Sequence, residues 1–405
     1  MIAKFGDGRD WFFEKRFGMF VHWGLYALNG VHEQELWRYA LDPAAYAQLQ
    51  YRFDPRAFNP RQWLDMFQEN GMEYLVFTTK HHDGFCMFGS RLTDYNILNT
   101  PYKKDIFGML AEECHKRNFP LVAYYSVLDW HHPAYPNTGD THEIHTDPAA
   151  HDMSAYMEYM TGQLRELCSN YGTIHGIWFD LNSKLYQHAG IAAMIRELQP
   201  CAVINNRGTE PGDFSTPERV LPAGDVYQTP TEACESVGHY SWGYRKEEVY
   251  YTPAYLKHNI AVNLACGGNF LLNAGPDGDG RFCREAKNIL RKVGSWYQLA
   301  REGLTAPGCG ALARFPSIYQ TGTGDTRYLI LAGEVPCSDL ELAGYPDLLS
   351  AESLTHPGDR LDVSNEDVYK IDFFPHAPRI RGILNRPGEV QVLKIRCRNR
   401  KEQPR

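Results

Sequence analysis

Along residues 10–300, short apolar runs alternate with stretches whose apolar positions recur at helical spacing. The run at 18–24 reads as a first strand. Trp63, Leu64, Met66 and Phe67 mark a helix over 61–69, and 74–83 is a β-branched and aromatic strand ending in Lys80-His81-His82-Asp83. A helix at 106–117, a strand at 121–126 leading to Asp129-Trp130-His131-His132, a helix at 152–170, a strand at 177–180, a helix at 189–198 and a strand at 202–207 follow. The run 225–229, a helix at 253–265 and a strand at 270–273 complete the series. Strand–helix alternation predicts a parallel sheet. Each apolar run ends, at its C-terminal side, in polar or ionisable side chains. In a β/α barrel those ends converge on one pocket. A doubly wound open sheet uses the same ends, but six or more successive units favour a (β/α)8-like, TIM-type barrel.

A last amphipathic helix at 285–302 precedes a change of texture. From Gly308 onward, runs at 327–332, 339–342, 368–373 and 390–395 alternate partially and are split by Gly and Pro. They predict a small antiparallel β-sandwich. The expected organisation is a barrel over 1–306, a sandwich over 307–398 and a frayed tail over 399–405.

Composition narrows the function. The 405 residues are 43% hydrophobic and 22% charged, with net charge −8, which fits an ordinary globular chain and gives no basic stripe for nucleic acid. No apolar run approaches the ~20 residues of a membrane span. The ten cysteines form no CxxC pair and most sit in apolar runs, as reduced thiols do. Without a signal-peptide core near Met1, cytoplasm is the expectation, with secretion possible after removal of a leader. The 25 Tyr and 8 Trp are suggestive of a sugar site.

Asp180 leaves the apolar run Gly-Ile-Trp-Phe at a predicted strand end, where a carboxylate either caps the next helix or does chemistry. Glycoside hydrolysis needs two carboxylates flanking the bond, and the candidate partners are Glu218 and Glu232, both expected in loops. His22, the pair His81-His82 and the pair His131-His132 also sit at strand ends. Hydroxyl recognition is one reading. A metal-dependent hydrolase using His22, His81 and Asp180 is another, although HxH and HExxH are absent and adjacent strand residues face opposite ways. Arg207 ends another run and can orient a carboxylate or a hydroxyl. A sugar-binding protein with a dead site, or a glycosidase for another sugar, also remains open.

Taken in order, the segments 17–24, Leu36-Trp37, Lys80–Phe85, Tyr124-Tyr125-Ser126 with Asp129-Trp130, Trp178-Phe179-Asp180, Asn206-Arg207, 241–244 and 273–276 resemble the glycoside hydrolase family 29 α-L-fucosidases. That resemblance covers about residues 10–300. It implies a fucosidase barrel with a β-sandwich, retention of configuration, no metal or other cofactor, and a fucosylated oligosaccharide or glycoconjugate as partner. It places the nucleophile on Asp180 and fucose contacts on His22, Trp37, His81, His82, Tyr125, Trp178 and Arg207. It favours Glu218 as acid/base, with Glu232 as the rival, and Trp242 offers an apolar wall for the C6 methyl. The chain departs from the family where Leu36, not Glu, precedes Trp37, where Thr231 precedes Glu232, and where Leu181 follows Asp180.

Overall fold

The computed structural model describes residues 2–335, 337–366 and 376–398. Seven parallel strands form one sheet: β1 (Phe17–Val21), β2 (Leu75–Lys80), β3 (Leu121–Ser126), β4 (Gly176–Asp180), β5 (Val203–Ile204), β6 (Glu232–Ser236) and β7 (Asn269–Asn273). Their order is β5-β4-β3-β2-β1-β7-β6. Between the free edges of β5 and β6 runs the segment 213–218. It makes parallel bridges Asn205↔Phe214 on one side and Ser215↔Thr231 and Glu218↔Cys234 on the other. This irregular eighth stave closes the sheet on itself and carries Glu218.

Period-two alternation explains the two layers. Phe20, Tyr74, Val76, Val122, Tyr124, Trp178, Val203, Cys234 and Leu271 fill the barrel interior with Phe12 and Phe214. Their neighbours Met19, Val21, Leu75, Phe77, Leu121, Ala123, Ile177 and Phe179 face outward and pack with the helices. Gly18 is required on the inner face, because a Cβ there would lie 2.5 Å from the Tyr74 ring. The helices start where the sequence supplies caps: Asn59 accepts from Gln62 N, Asp105 from Gly108 N and Asp152 from Ala155 N, for Pro60–Glu69, Ile106–Lys116 and Met153–Asn170.

One strand expectation fails. Residues 225–229 form a loop, and the strand is β6. The short run is hemmed by Pro222, Gly224 and Pro230, whereas Glu232–Ser236 alternates despite its two glutamates. Glu232 is therefore not a loop residue but the first residue of a strand.

After the helix Arg284–Leu304 the chain forms two antiparallel sheets. One orders β12 (Leu348–Ser353), β15 (Gln391–Cys397), β10 (Thr326–Leu331), β9 (Phe315–Thr321) and β8 (Gly308–Leu312); the other orders β11 (Leu340–Glu341), β14 (Arg379–Arg381) and β13 (Asp362–Ser364). Leu329, Leu331, Leu393 and Ile395 pack against Leu340 and Ile380 between them. The expected run 368–373 and the tail 399–405 lie outside the described residues. Ile330 and Val392 face the barrel's core instead, and Trp296 Nε1 donates to Val390 O at 3.0 Å. Among the described residues no helix is long and apolar enough to cross a membrane.

Candidate active site

Asp180 ends β4, two residues beyond the inward-facing Trp178, so alternation brings its carboxylate to the barrel mouth. Tyr124 OH donates to Oδ2 at 2.8 Å. Arg207 Nη1 (3.0 Å) and the Leu181 N–H (2.9 Å) donate to Oδ1. Leu181 makes its contact from a left-handed backbone, φ +46°, which costs free energy in a non-glycine residue. The same Arg207 Nη1 lies 3.1 Å from Glu218 Oε2. One nitrogen therefore bridges two carboxylates, whose oxygens lie within about 6 Å of each other, compatible with the ~5–5.5 Å of a retaining pair. Arg207 is itself pinned by Thr216, through Oγ1 (2.8 Å) and the carbonyl (2.7 Å), and its guanidinium lies 4.8 Å over the Trp178 ring. Burial pushes the Glu218 carboxyl above its ordinary range, Arg207 opposes that shift, and the Asp180 charge adds to it.

The pocket floor is aromatic and imidazole-rich: Phe20, His22, His81, His82, Tyr124 and Trp178 all line it and all are buried. Neighbouring bonds settle two tautomers. Asn273 Nδ2 donates to Trp242 O and Ser236 Oγ, so its Oδ1 accepts from His22 Nδ1–H at 2.8 Å. Ser126 Oγ donates to Leu128 O, so it accepts from His82 Nδ1–H at 2.7 Å. Each neutral imidazole then presents Nε2 as an acceptor, and His82 Nε2 stands 3.9 Å from Asp180 Oδ2. Burial holds His22 below the usual imidazole pKa and His81 and His82 well below it, and for the latter two neighbouring imidazoles add to the effect.

Both members of the His81-His82 pair enter the pocket, against the expectation from alternation. β2 has an irregularity between Thr78 and Lys80 that turns Lys80 outward, onto Asp129 at 2.8 Å, and the pair follows in the turn beyond the strand. The other pair stays out: His131 stacks on Tyr95 (3.9 Å) and His132 lies against Tyr159 (4.2 Å).

Three further residues expected in the site lie elsewhere. Tyr125 faces outward and donates to Gln163 Oε1 at 2.7 Å; Tyr124, paired with Trp178 and stacked on it at 5.6 Å, is the tyrosine of the pocket. Alternation from Trp178 across the register would have identified it. Trp37 is not a lining residue; it backs His142, which is, with centroids 4.7 Å apart. Glu232 is buried inside the barrel, where it accepts from Tyr74 OH (2.6 Å) and Trp178 Nε1 (3.0 Å), and burial raises its pKa to about 7. It props the pocket wall from behind.

Trp242 does line the pocket, 5.4 Å from the His22 ring. Its loop brings in a carboxylate that sequence reasoning missed. Glu33 lines the pocket and is buried; its Oε2 accepts from Ser241 Oγ (2.5 Å), Trp242 N (3.0 Å) and Gly243 N (3.4 Å). No strand end announces Glu33, which sits in a loop three residues before the Leu36 that departs from the expected Glu. Gln34, Leu181 and Cys234 complete the lining with Arg207 and Glu218. Among the described residues no three His, Cys, Asp or Glu side chains are grouped to share a metal ion; both oxygens of Asp180 are already taken by Arg207, Leu181 and Tyr124.

The Alpha-L-fucosidase family model matches residues 6–302. The chain is 26% identical to the plasma α-L-fucosidase of Homo sapiens over 327 residues, covering 73% of this chain and 68% of that protein. The fold is similar to α-L-fucosidase isoenzyme 1 from Paenibacillus thiaminolyticus, with TM-score 0.85, 30% identity, and coverage of 97% of this chain and 100% of that one. It is also similar to a Bacteroides thetaiotaomicron enzyme solved as a trapped covalent intermediate with 2-fluoro-fucosyl fluoride in a Glu-to-Gln variant. There the TM-score is 0.80, the identity 27%, and the coverage 98% of this chain and 97% of the other.

Proposed function

The chain belongs to the α-L-fucosidase family, and we propose that Asp180 and Glu218 carry the two displacements of its reaction. It is a retaining α-L-fucosidase, an exo-acting glycoside hydrolase that removes terminal α-L-fucose. The observation that supports the two assignments is the shared Arg207 Nη1, 3.0 Å from one carboxylate and 3.1 Å from the other. Asp180 attacks the anomeric carbon through an oxocarbenium-like transition state while protonated Glu218 gives its proton to the departing oxygen. Ester formation removes the charge on Asp180 that helps keep Glu218 protonated. The Arg207 guanidinium then acts on Glu218 alone and lowers its pKa, which suits the general base that deprotonates the incoming water.

Fucose hydroxyls donate to His22 Nε2 and His82 Nε2 and to Glu33, and the C6 methyl meets Phe20, Cys234 or Trp242. The substrate is a fucosylated oligosaccharide or glycoconjugate. All ten cysteines are free thiols, which favours a reducing compartment such as the cytoplasm.

Glu218→Ala and Glu232→Ala separate the two acid/base candidates. Glu218→Ala is expected to lower turnover of a fucosyl disaccharide by several orders of magnitude and to spare the first step with an activated aryl fucoside. Azide should accelerate its second step and give α-fucosyl azide. For the wild type, kcat/KM on the disaccharide should fall as pH rises through the raised Glu218 pKa, with no such limb for fucosyl fluoride. Leaving-group dependence and azide rescue in Glu232→Ala instead of Glu218→Ala would exchange the assignments. Asp180→Gly should lose hydrolysis altogether and, with azide, form β-fucosyl azide; wild-type turnover in that folded variant would overturn the nucleophile.

A further inference from the structure

The chain carries a net charge of −8, yet one face of the helix Arg284–Leu304 is cationic. Arg284, Lys287 and Arg291 recur at spacings of three and four, Lys292 adjoins them, and Ser295 and Leu299 continue the face. All six are exposed. At 1.5 Å per residue this strip is about 22 Å long. Beside it lies a groove of about 450 Å³, formed with the helix Pro253–Ala265 and loops of the sandwich and lined by Lys257, Arg291, Lys292, Trp296, His356 and Glu389 among others. A second hollow, walled by Arg284, Glu285, Lys287, Asn288 and Arg291, continues it. The linear pattern hides this patch, because helical period gathers four of its cations and another helix supplies Lys257. Among the described residues, Glu285 pairs with Arg284 (3.5 Å) and Glu389 with His356 (2.9 Å), and Lys257, Lys287, Arg291 and Lys292 have no carboxylate within ion-pair distance. Lys257 is half-buried, with Nζ 6.0 Å from the centre of the Trp296 ring. Burial lowers its pKa, Glu389 opposes that shift, and Lys292 adds to it. Two ammonium groups are held close in a partly dry groove, and an oxyanion seated there would relieve both burial and repulsion.

We propose that this groove is a docking site for an anionic glycan, a polymer bearing sulfate or carboxylate groups, on the outer wall of the barrel and separate from the catalytic pocket. Lys257, Arg291 and Lys292 meet the oxyanions, with Arg291 able to hold one through two parallel N–H bonds. Ser295 and Asn288 offer neutral hydrogen-bonding groups to hydroxyls. Leu299, 50% exposed, and the Trp296 ring give apolar surface for C–H faces. The mixed lining favours a glycan over a nucleic acid. A nucleic acid carries a phosphate at every unit, and Glu285 and Glu389 would repel part of that row. A glycan sets its anions between neutral rings. The choice of a carbohydrate rests on the fucosidase reading. The strip also begins on the mouth side, because its helix follows the loop after β7. A polymer lying on it keeps the enzyme at a surface rich in further chain ends.

Titration calorimetry of the full chain with a heparin hexasaccharide at low salt tests the site. Lys257→Gln, Arg291→Gln and Lys292→Gln, combined, are expected to weaken binding about tenfold or more, and raising salt from about 50 to about 200 mM should weaken the wild type by a similar factor. Saturating free fucose should leave the affinity unchanged. Turnover of fucosyl fluoride should be equal in the variant and the wild type, which also shows that the variant folds. A control removes the same charge elsewhere: Lys103→Gln, Lys104→Gln and Lys116→Gln, all at exposed positions, should together cost less than about twofold. A hyaluronan hexasaccharide, which carries carboxylates and no sulfate, separates the two oxyanions, and binding of either acidic sugar well above neutral maltohexaose supports the site. Absence of such binding, equal losses in the two triple variants, competition by fucose, or tighter binding of an oligothymidylate or an oligoglutamate would each overturn it. A wild type that binds heparin as expected but does not turn over fucosyl fluoride would instead overturn the fucosidase reading.

Discussion

Glu33 gives one oxygen to the protein and keeps the other for the pocket. Its Oε2 accepts from Ser241, Trp242 and Gly243, so the side chain cannot turn away, and Oε1 is the acceptor it has left for a sugar hydroxyl. In Glu33→Gln the amide oxygen can take over the three protein donors, which puts an NH2 where the acceptor stood. The fold should persist while kcat/KM on any fucoside drops by roughly 10–100-fold, the worth of a charge-assisted hydrogen bond of ~1.5–3 kcal/mol. A change under twofold would remove Glu33 from fucose recognition. At this scale the sequence was readable where a residue ended a strand. Asp180 and His22 were placed at strand ends, and Trp178 came with the family resemblance. The resemblance also gave Tyr125, whereas period-two alternation across the register with β4 gives Tyr124. Glu33 had no period to follow, because a loop of the mouth brings it in.

Elements place the pocket walls through buried polar anchors in the loops after β1 and β2. Glu35 accepts from Asn29 Nδ2 at 2.8 Å, and Asp83 from Tyr46 OH at 2.9 Å and from the Phe85 N–H at 3.2 Å. Burial raises each carboxyl to about 7, and the Asp83 charge adds to the shift of Glu35. The folded pKa of Glu35 thus lies above its ordinary 4.5. Its protonated form contributes stability that is fully present below the unfolded value and is lost as pH rises through about 7. Thermal melts should show wild-type stability falling across that window. Glu35→Gln keeps the acceptor for Asn29 and carries no charge. It should match the wild type near pH ~4.5 and exceed it by of order 1–3 kcal/mol above pH ~8. An unchanged pH slope in the variant would reject this account. Elements themselves were legible wherever an apolar run was long and its flanks were clear, as at Ile106–Lys116 and Leu121–Ser126. β6 was not, because strand alternation placed Glu232 and Glu235 in a run whose outward and inward positions both carry charge.

The whole molecule is a barrel closed by a stave that is not a regular strand, and Glu218, the proposed proton donor, rides on that stave. Strand–helix alternation announced the barrel, but nothing in the pattern of apolar positions announced its closure, since 213–218 makes single bridges and no ladder. Asp213 fastens its entry. Oδ1 accepts from Arg9 Nη1 (2.7 Å) and Arg196 Nη2 (2.5 Å), and Oδ2 from the Ile204 N–H (2.9 Å). One carboxylate so ties together the N-terminal segment, the helix Ile191–Leu198 and β5. Five residues on, Glu218 must stay within reach of Arg207 for its proton to meet the leaving oxygen. Asp213→Ala leaves the Ile204 N–H without its side-chain acceptor and two guanidinium groups short of a partner, a loss of ~1–3 kcal/mol from the unsatisfied donor alone. Loosening the stave should misplace Glu218 more than Asp180, which β4 holds independently through its register with β3. Turnover of a fucosyl disaccharide, which needs the acid, is therefore expected to fall about tenfold further than turnover of fucosyl fluoride, which does not. Glu218→Ala supplies the control: once the acid is gone, adding Asp213→Ala should cost little more on the disaccharide than on the fluoride. Parallel losses on the two substrates in the single variant would show that Asp213 holds the barrel together without aiming its acid.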